Sequence, residues 1–189
     1  PGMILGVSVV FCSILTLHMV FLERYADYRG FESIRWFFFV YAPTAIVLRL
    51  FCRRVPERVG RERVCAGGLL VMAVGVLLMI PVHAEWHLIF PALLMGAGHS
   101  FVFPSMVDLA AEALPWRHRG VGTSVTLGAG DLGFLLGGIG WGRLIYWVGF
   151  EKTFVTAAVI TVIAATVYFL TAKNTTARHQ EPATSAIEK

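Results

Sequence analysis

Apolar runs of about 20 residues, separated by short connections that carry most of the charge, constrain this chain more than any motif in it. Six stretches are long enough to cross a hydrocarbon layer, which takes about 20 apolar residues as helix: Gly2 to Leu22, Ser33 to Cys52, Val64 to Val82, Leu88 to Ala113, Gly120 to Ile145 and Thr153 to Ala172. Backbone polar groups have no water to bond in lipid, so runs of this length are helices and not strands. Hydrophobic residues make up 57% of the 189 and charged residues 15%, more apolar surface than the core of a soluble domain this size can hide. The expected fold is therefore all-α: residues 1–172 form a six-helix bundle in a lipid bilayer and residues 173–189 a disordered tail on the cytoplasmic side.

Lysine and arginine are distributed unevenly between the two ends of these runs. Arg53, Arg54, Arg58, Arg61, Arg63, Arg117, Arg119, Lys173, Arg178 and Lys189 fall at one end, and Arg24, Arg29, Arg35, Arg143 and Lys152 at the other. Positive charge marks the cytoplasmic face, so both ends of the chain are expected there, in a multi-pass protein of the cell membrane. The basic residues are split among loops and gather on no aromatic-rich surface, so a pI of about 9.2 reports topology and not nucleic-acid binding. The first run lacks the basic leading region and cleavage site of a signal peptide. The chain opens at Pro1 without a start Met, which reads as a fragment or as one half of a longer protein. Cys12, Cys52 and Cys65 have no metal-ligand spacing and read as packing residues.

The connection between the second and third runs reads Glu57-Arg58-Val59-Gly60-Arg61-Glu62-Arg63. It resembles the acidic-Arg-x-Gly-basic loop that joins the second and third helices of each half of a major facilitator superfamily transporter. FFFVYAPTAIVLRLF before it, HSFVFPSMVDLAAEALPWRHRG across the fourth run and GAGDLGFLLGG in the fifth extend the resemblance up to Ala172. Its flavour is that of drug and small-metabolite exporters, whose fifth helix of the second half often carries an Asp-x-Gly pair like that of Asp131 and Gly133. Arg53 stands where the loop usually opens with glycine, and Glu62 where a basic residue closes it, which is the degenerate copy expected of the second half. The resemblance implies a six-helix half built from two inverted three-helix repeats, facing an N-terminal six-helix half that this chain lacks, with a small-molecule substrate between them.

Several residues carry the chemistry such a protein needs. Asp131 lies about 12 residues into its helix, which at ~1.5 Å per residue is about 18 Å deep and close to the midplane. A carboxylate there is expected to face a bundle interior, an aqueous cavity or a partner charge, and desolvation makes it protonatable, as a proton-coupling site requires. The alternative is a packing role, capping backbone or pairing with the other half. His18 and His99 lie inside apolar helices, where each either lines the substrate path or is satisfied by packing. Trp141, deeper than Trp36, Trp86, Trp116 and Trp147 at the run ends, either packs or lines the route.

At the basic end, Gly60 permits a tight turn. Glu57, Arg58, Arg61 and Arg63 are expected to form a cytoplasmic gate with Asp108 and Glu112, which share one helix face four residues apart, and with Arg117 and Arg119. The alternative is that these arginines only set topology. Arg49 is placed to snorkel toward the same interface. Gly133 with Gly137, and Ala92, Gly96 and Ser100, make small-residue surfaces for close helix contact. His83, Glu85 and His87 are too few for a metal site. Gly128-Ala129-Gly130-Asp131-Leu132-Gly133 matches a dinucleotide fingerprint only in letters, because no strand precedes it. Asn174-Thr175-Thr176 is a glycosylation sequon on the side expected to be cytoplasmic, and so unused.

The expected function is secondary transport by alternating access, coupled to protons and directed to export. No Walker loop drives it, no metal or cofactor is implied, and no nucleophile-base pair supports an enzyme. The alternatives are a transporter-like binding or sensory protein that moves no substrate, and a nonfunctional truncated product. Topology is testable directly: a single Cys placed at Arg58 should resist an impermeant thiol reagent applied to intact cells, and ready labelling from outside would reverse the assignment.

Overall fold

The computed structural model describes residues 2–180, without the side chains of residues 173–180. No strand occurs among the described residues. The helices are α1 (Gly2–Val20), α2 (Leu22–Arg29), α3 (Arg35–Phe51), α4 (Val55–Val59), α5 (Arg61–Leu77), α6 (Ile89–Glu112) and α7 (Arg119–Gln180). Short 3-10 turns at Glu85–Leu88 and Trp116–His118 lead into α6 and α7. The continuous helix of α7 is interrupted at Gly149, whose φ of 83° and ψ of 174° are non-helical. A side chain is strained at that φ and glycine is not, so α7 divides into arms of residues 119–148 and 150–180.

Among the described residues, three helical stretches are long and apolar enough to cross a membrane: Gly2–Val20, Glu85–Glu112 and the 57-residue Trp116–Ala172. The sequence led us to expect six, and the difference has two physical sources. Helix and apolar run do not coincide in α3 and α5, each of 17 residues: α3 opens on Arg35 and holds Arg49, while α5 begins on Arg61-Glu62-Arg63 and stops at Leu77. The fifth and sixth stretches, in turn, are one helical segment joined through Gly149. Helix α7 also runs on to Gln180, into the segment expected to be disordered, and residues 181–189 lie outside the described residues.

Glycine sets how the helices meet. A Cβ on Gly133 would collide with the backbone of Val9, one on Gly137 with Ser13, and one on Gly130 with Cys12 and Ser8, so α1 and the first arm of α7 approach backbone to backbone. Contacts advance in the same direction along both helices, which makes this pair parallel. Ser8 Oγ donates to the Thr126 carbonyl at 2.7 Å, Thr16 to that of Phe134 at 3.2 Å, and the Trp141 indole to the Ser13 carbonyl at 2.8 Å. Helices α3 and α6 are also parallel, with Gly96 against Tyr41 and Thr44. Helices α5 and α6 are antiparallel, with Gly75 against Met95 and Gly98 against Met72 and Gly68. Helix α1 buries Phe11, Ile14, Leu17 and His18 at the centre of the bundle.

Lipid tails are as apolar as leucine, so packing of this kind, and not the hydrophobic effect, must hold helices together. Gly133→Ala should therefore cost about 1–3 kcal/mol, whereas Gly128→Ala, which meets nothing within 4 Å, should be neutral or gain up to about 1 kcal/mol from helix propensity. Thermal unfolding of the two variants in detergent checks the contrast.

Candidate functional site

Two polar regions stand out, one at the arginine-rich end and one midway along the helices. At the arginine-rich end, α4 leads into Gly60, whose φ of 101° turns the chain directly into α5. That turn delivers Arg61 to the face of α6 on which Asp108 and Glu112 stand one helical turn apart. Arg61 Nε lies 3.4 Å from Asp108 Oδ2, and its Nη1 donates to Glu112. The Glu112 hydrogen bond, and after it the charges of Glu112, Asp108 and Glu57, raise the pKa of the guanidinium above its ordinary range. Of the expected gate residues, the fold brings these three together. Glu57 stands within electrostatic reach of Arg61. Arg58, Arg63, Arg117 and Arg119 are exposed and make no ion pair among the described residues. Arg49 stacks over the Phe103 ring at 5.8 Å and lines a cleft of about 220 Å³ with Arg53, Glu57, Arg61, Ser100 and Asp108.

Midway along the helices, Asp131 is exposed on the first arm of α7. It makes no ion pair among the described residues, and its charge reaches Cys12 on α1. At 100° per residue it shares a sector with Ser124 and Gly138 and with the exposed Leu127 and Leu135, each about 40° away. Val125, Leu132 and Leu136 continue the exposed face on one side. The carboxylate thus sits on an exposed face that is otherwise largely apolar. It does not face the interior of this bundle.

The remaining sequence candidates lie deeper. His18 is 2% exposed, and neither ring nitrogen makes a hydrogen bond of good geometry, though the ring interacts with the Ile14 carbonyl. Half-buried His99 bonds through Nδ1 to the Tyr41 hydroxyl. Trp141 is 7% exposed and held by Ser13 between α1 and α7. Sequence reasoning missed Tyr41; its signal was a phenol within the aromatic run from Trp36, since a buried tyrosine hydroxyl usually finds a partner.

It also missed a polar knot at the opposite end. There Arg29 donates to Tyr25 Oη at 3.0 Å, to the Ile80 carbonyl at 2.6 Å and to Glu151 at 3.3 Å, while the Tyr25 hydroxyl donates to the Met79 carbonyl. Glu85 is likewise committed, accepting from the backbone N–H groups of Glu32 and Ser33. No metal-binding cluster of His, Cys, Asp or Glu occurs among the described residues.

Arg61 is 30% exposed, and Asp108 and Glu112 are 53% and 50% exposed, so water screens this network. A double-mutant cycle of Arg61→Ala with Glu112→Ala, read by thermal unfolding, should give a coupling of about 0.2–1 kcal/mol.

Comparison with known proteins gives the family. The family model described as Major Facilitator Superfamily matches residues 3–188. An uncharacterized MFS-type transporter of Salmonella typhimurium strain LT2, STM4428, is 28% identical over 150 residues, which cover 79% of this chain and 37% of that protein. The uncharacterized MFS-type transporter YhhS of Escherichia coli O157:H7 is 25% identical over 144 residues, 76% of this chain and 36% of its own length. The chain thus spans little more than a third of the length of the curated relatives it matches. With the family match covering nearly all of it, this chain belongs to the Major Facilitator Superfamily.

Proposed function

We propose that the chain is the second six-helix half of a secondary transporter that exports a small molecule by alternating access in exchange for protons, with Asp131 as the coupling carboxylate. The observation that carries this reading is an exposed carboxylate on a membrane-crossing apolar helix. Such a group is costly against lipid, so the exposed face that carries it suits a second protein surface or an aqueous cavity better than acyl chains. A first half, supplied by a longer chain or by a partner, covers that face and encloses a cavity in which Asp131 takes and releases a proton.

The architecture supports the same reading. Helix α1 runs parallel to the first arm of α7, and α6 runs parallel to α3. Two three-helix units of opposite orientation produce this pattern when each sets its first helix against the second helix of the other. On that count α1, α3 and α5 form one unit, and α6 with the two arms of α7 forms the other. The arginine-rich end faces the cytoplasm. There the Arg61, Asp108 and Glu112 network closes when the inner gate is shut, with Arg58, Arg63, Arg117 and Arg119 available as partners for the other half.

The test is Asp131→Asn in the complete transporter, which removes the titratable group with little change of shape. Proton movement driven by a panel of lipophilic amines in inverted membrane vesicles should fall at least about tenfold, with membrane insertion unchanged. Transport with an unaltered pH dependence would reduce Asp131 to a packing residue.

A further inference from the structure

Two imidazoles and a phenol that neither the arginine network nor Asp131 engages lie together between α1, α3 and α6. Tyr41 on α3 shares a hydrogen bond with Nδ1 of His99 on α6. His18, from α1, packs against the rings of Tyr41 and Phe37, with centroids 5.1 Å and 5.6 Å away. Neither nitrogen makes a hydrogen bond of good geometry, though the ring interacts with the Ile14 carbonyl one turn back, which leaves at least one nitrogen unpaired at a cost that an apolar side chain of similar size would not incur. Phe11 and Phe103 meet the His99 ring edge-on at 5.5 Å and 6.0 Å. The His99 ring is thus fixed by contacts from three helices while staying half-buried.

We propose that His99 is a proton-binding site additional to Asp131, that Tyr41 fixes its neutral tautomer, and that His18 is the acceptor to which the Tyr41 hydroxyl turns once His99 is charged. In the neutral state His99 carries its hydrogen on Nε2, and Nδ1 accepts from Tyr41. Proton uptake from water places a hydrogen on Nδ1, which then donates to Tyr41 Oη, because an imidazolium has two donors and no acceptor. The hydroxyl hydrogen of Tyr41 must then leave that line, and the unpaired nitrogen of the adjacent His18 ring, whose centroid is 5.1 Å from that of Tyr41, accepts it after a small shift of the two side chains. Release of the proton reverses each step, and no covalent bond to carbon forms or breaks. The exchange bonds α3 to α1 in the charged state only, so protonation changes which helices are tied together.

Few other charges reach this cluster. Helix α3 contributes Arg49, within electrostatic reach of His99, and α1 contributes His18 itself. From α7, Asp131 acts on Cys12 of α1. Helix α6 presents no carboxylate bonded to either ring among the described residues. The role of the site in transport rests on the proton-coupled function proposed above, but the bond exchange itself needs no substrate.

The experiment is nitrogen NMR of the protein in lipid nanodiscs, labelled with [15N]histidine and titrated with acid, with His18→Asn and His99→Gln assigning the rings. His99 should begin as the Nε2–H tautomer, and the His18 nitrogen should shift in the hydrogen-bonded direction in step with His99 protonation. Tyr41→Phe, which keeps the ring and loses the hydroxyl, should abolish that response. A His18 signal that ignores the titration of His99, an equal response in Tyr41→Phe, or an Nδ1–H tautomer at the start overturns the proposal.

A second variant covers the case in which Tyr41→Phe fails to fold. His18→Phe removes the acceptor and should lower the His99 midpoint by about 0.5–1 pH unit, and an unmoved midpoint counts against the exchange. Asp131→Asn should leave the exchange intact; its loss there would mean one coupled site and not two. A protein that shows the exchange yet moves no solute removes the transport reading and leaves this site standing. One that transports without the exchange does the reverse.

Discussion

Close approach of helix backbones at glycine is the contact on which the rest of this molecule depends. Without the small positions at Gly130, Gly133 and Gly137, α1 would stand too far from α7 for Ser8 and Thr16 to reach the Thr126 and Phe134 carbonyls. The same holds where Gly96 admits the backbone of α3, since that approach brings Tyr41 within bonding distance of His99. The polar contacts are thus consequences of the steric ones. Helices that meet through methyl and phenyl groups stand about 8–10 Å apart, and there a serine hydroxyl bonds its own helix.

This order of cause explains what was legible beforehand. The apolar runs, the turn at Gly60 and the positions of Arg61, Asp108 and Glu112 follow from local rules: length, a residue that tolerates positive φ, and spacing along one helix face. The sequence left open which arginine of the loop, or whether Arg117 or Arg119, would approach Asp108 and Glu112; in the fold it is Arg61. The six-run count divided differently in three dimensions, since α5 recruits the charged loop residues Arg61 to Arg63 and a single glycine separates the two arms of α7.

What was not legible depends on rotation about the helix axis. Asp131 was expected near the midplane facing an interior, a cavity or a partner charge, and depth alone did not say which. Its exposure on the sector of Ser124 and Gly138 follows from the neighbouring Gly130 and Gly133 being taken up by α1. The Tyr41–His99 bond and the Arg29 knot join residues 58 and 51 positions apart and more, and no periodicity along the chain announces such pairs. The signal lay instead in chemistry: a tyrosine or arginine in an apolar neighbourhood needs a partner.

The knot around Arg29 gives the molecule two unlike ends. One guanidinium gathers the Tyr25 hydroxyl, the Ile80 carbonyl and the exposed Glu151, and buried Tyr25 is wedged against Phe150 and Phe154, so three separated stretches of chain are cross-linked there, mostly through groups shielded from water. The opposite end relies on one half-solvated arginine, whose bonds exchange readily with water and weaken as salt rises. Rising salt therefore loosens the polar cross-links of that end before it reaches the buried Tyr25 and Ile80 contacts of the other.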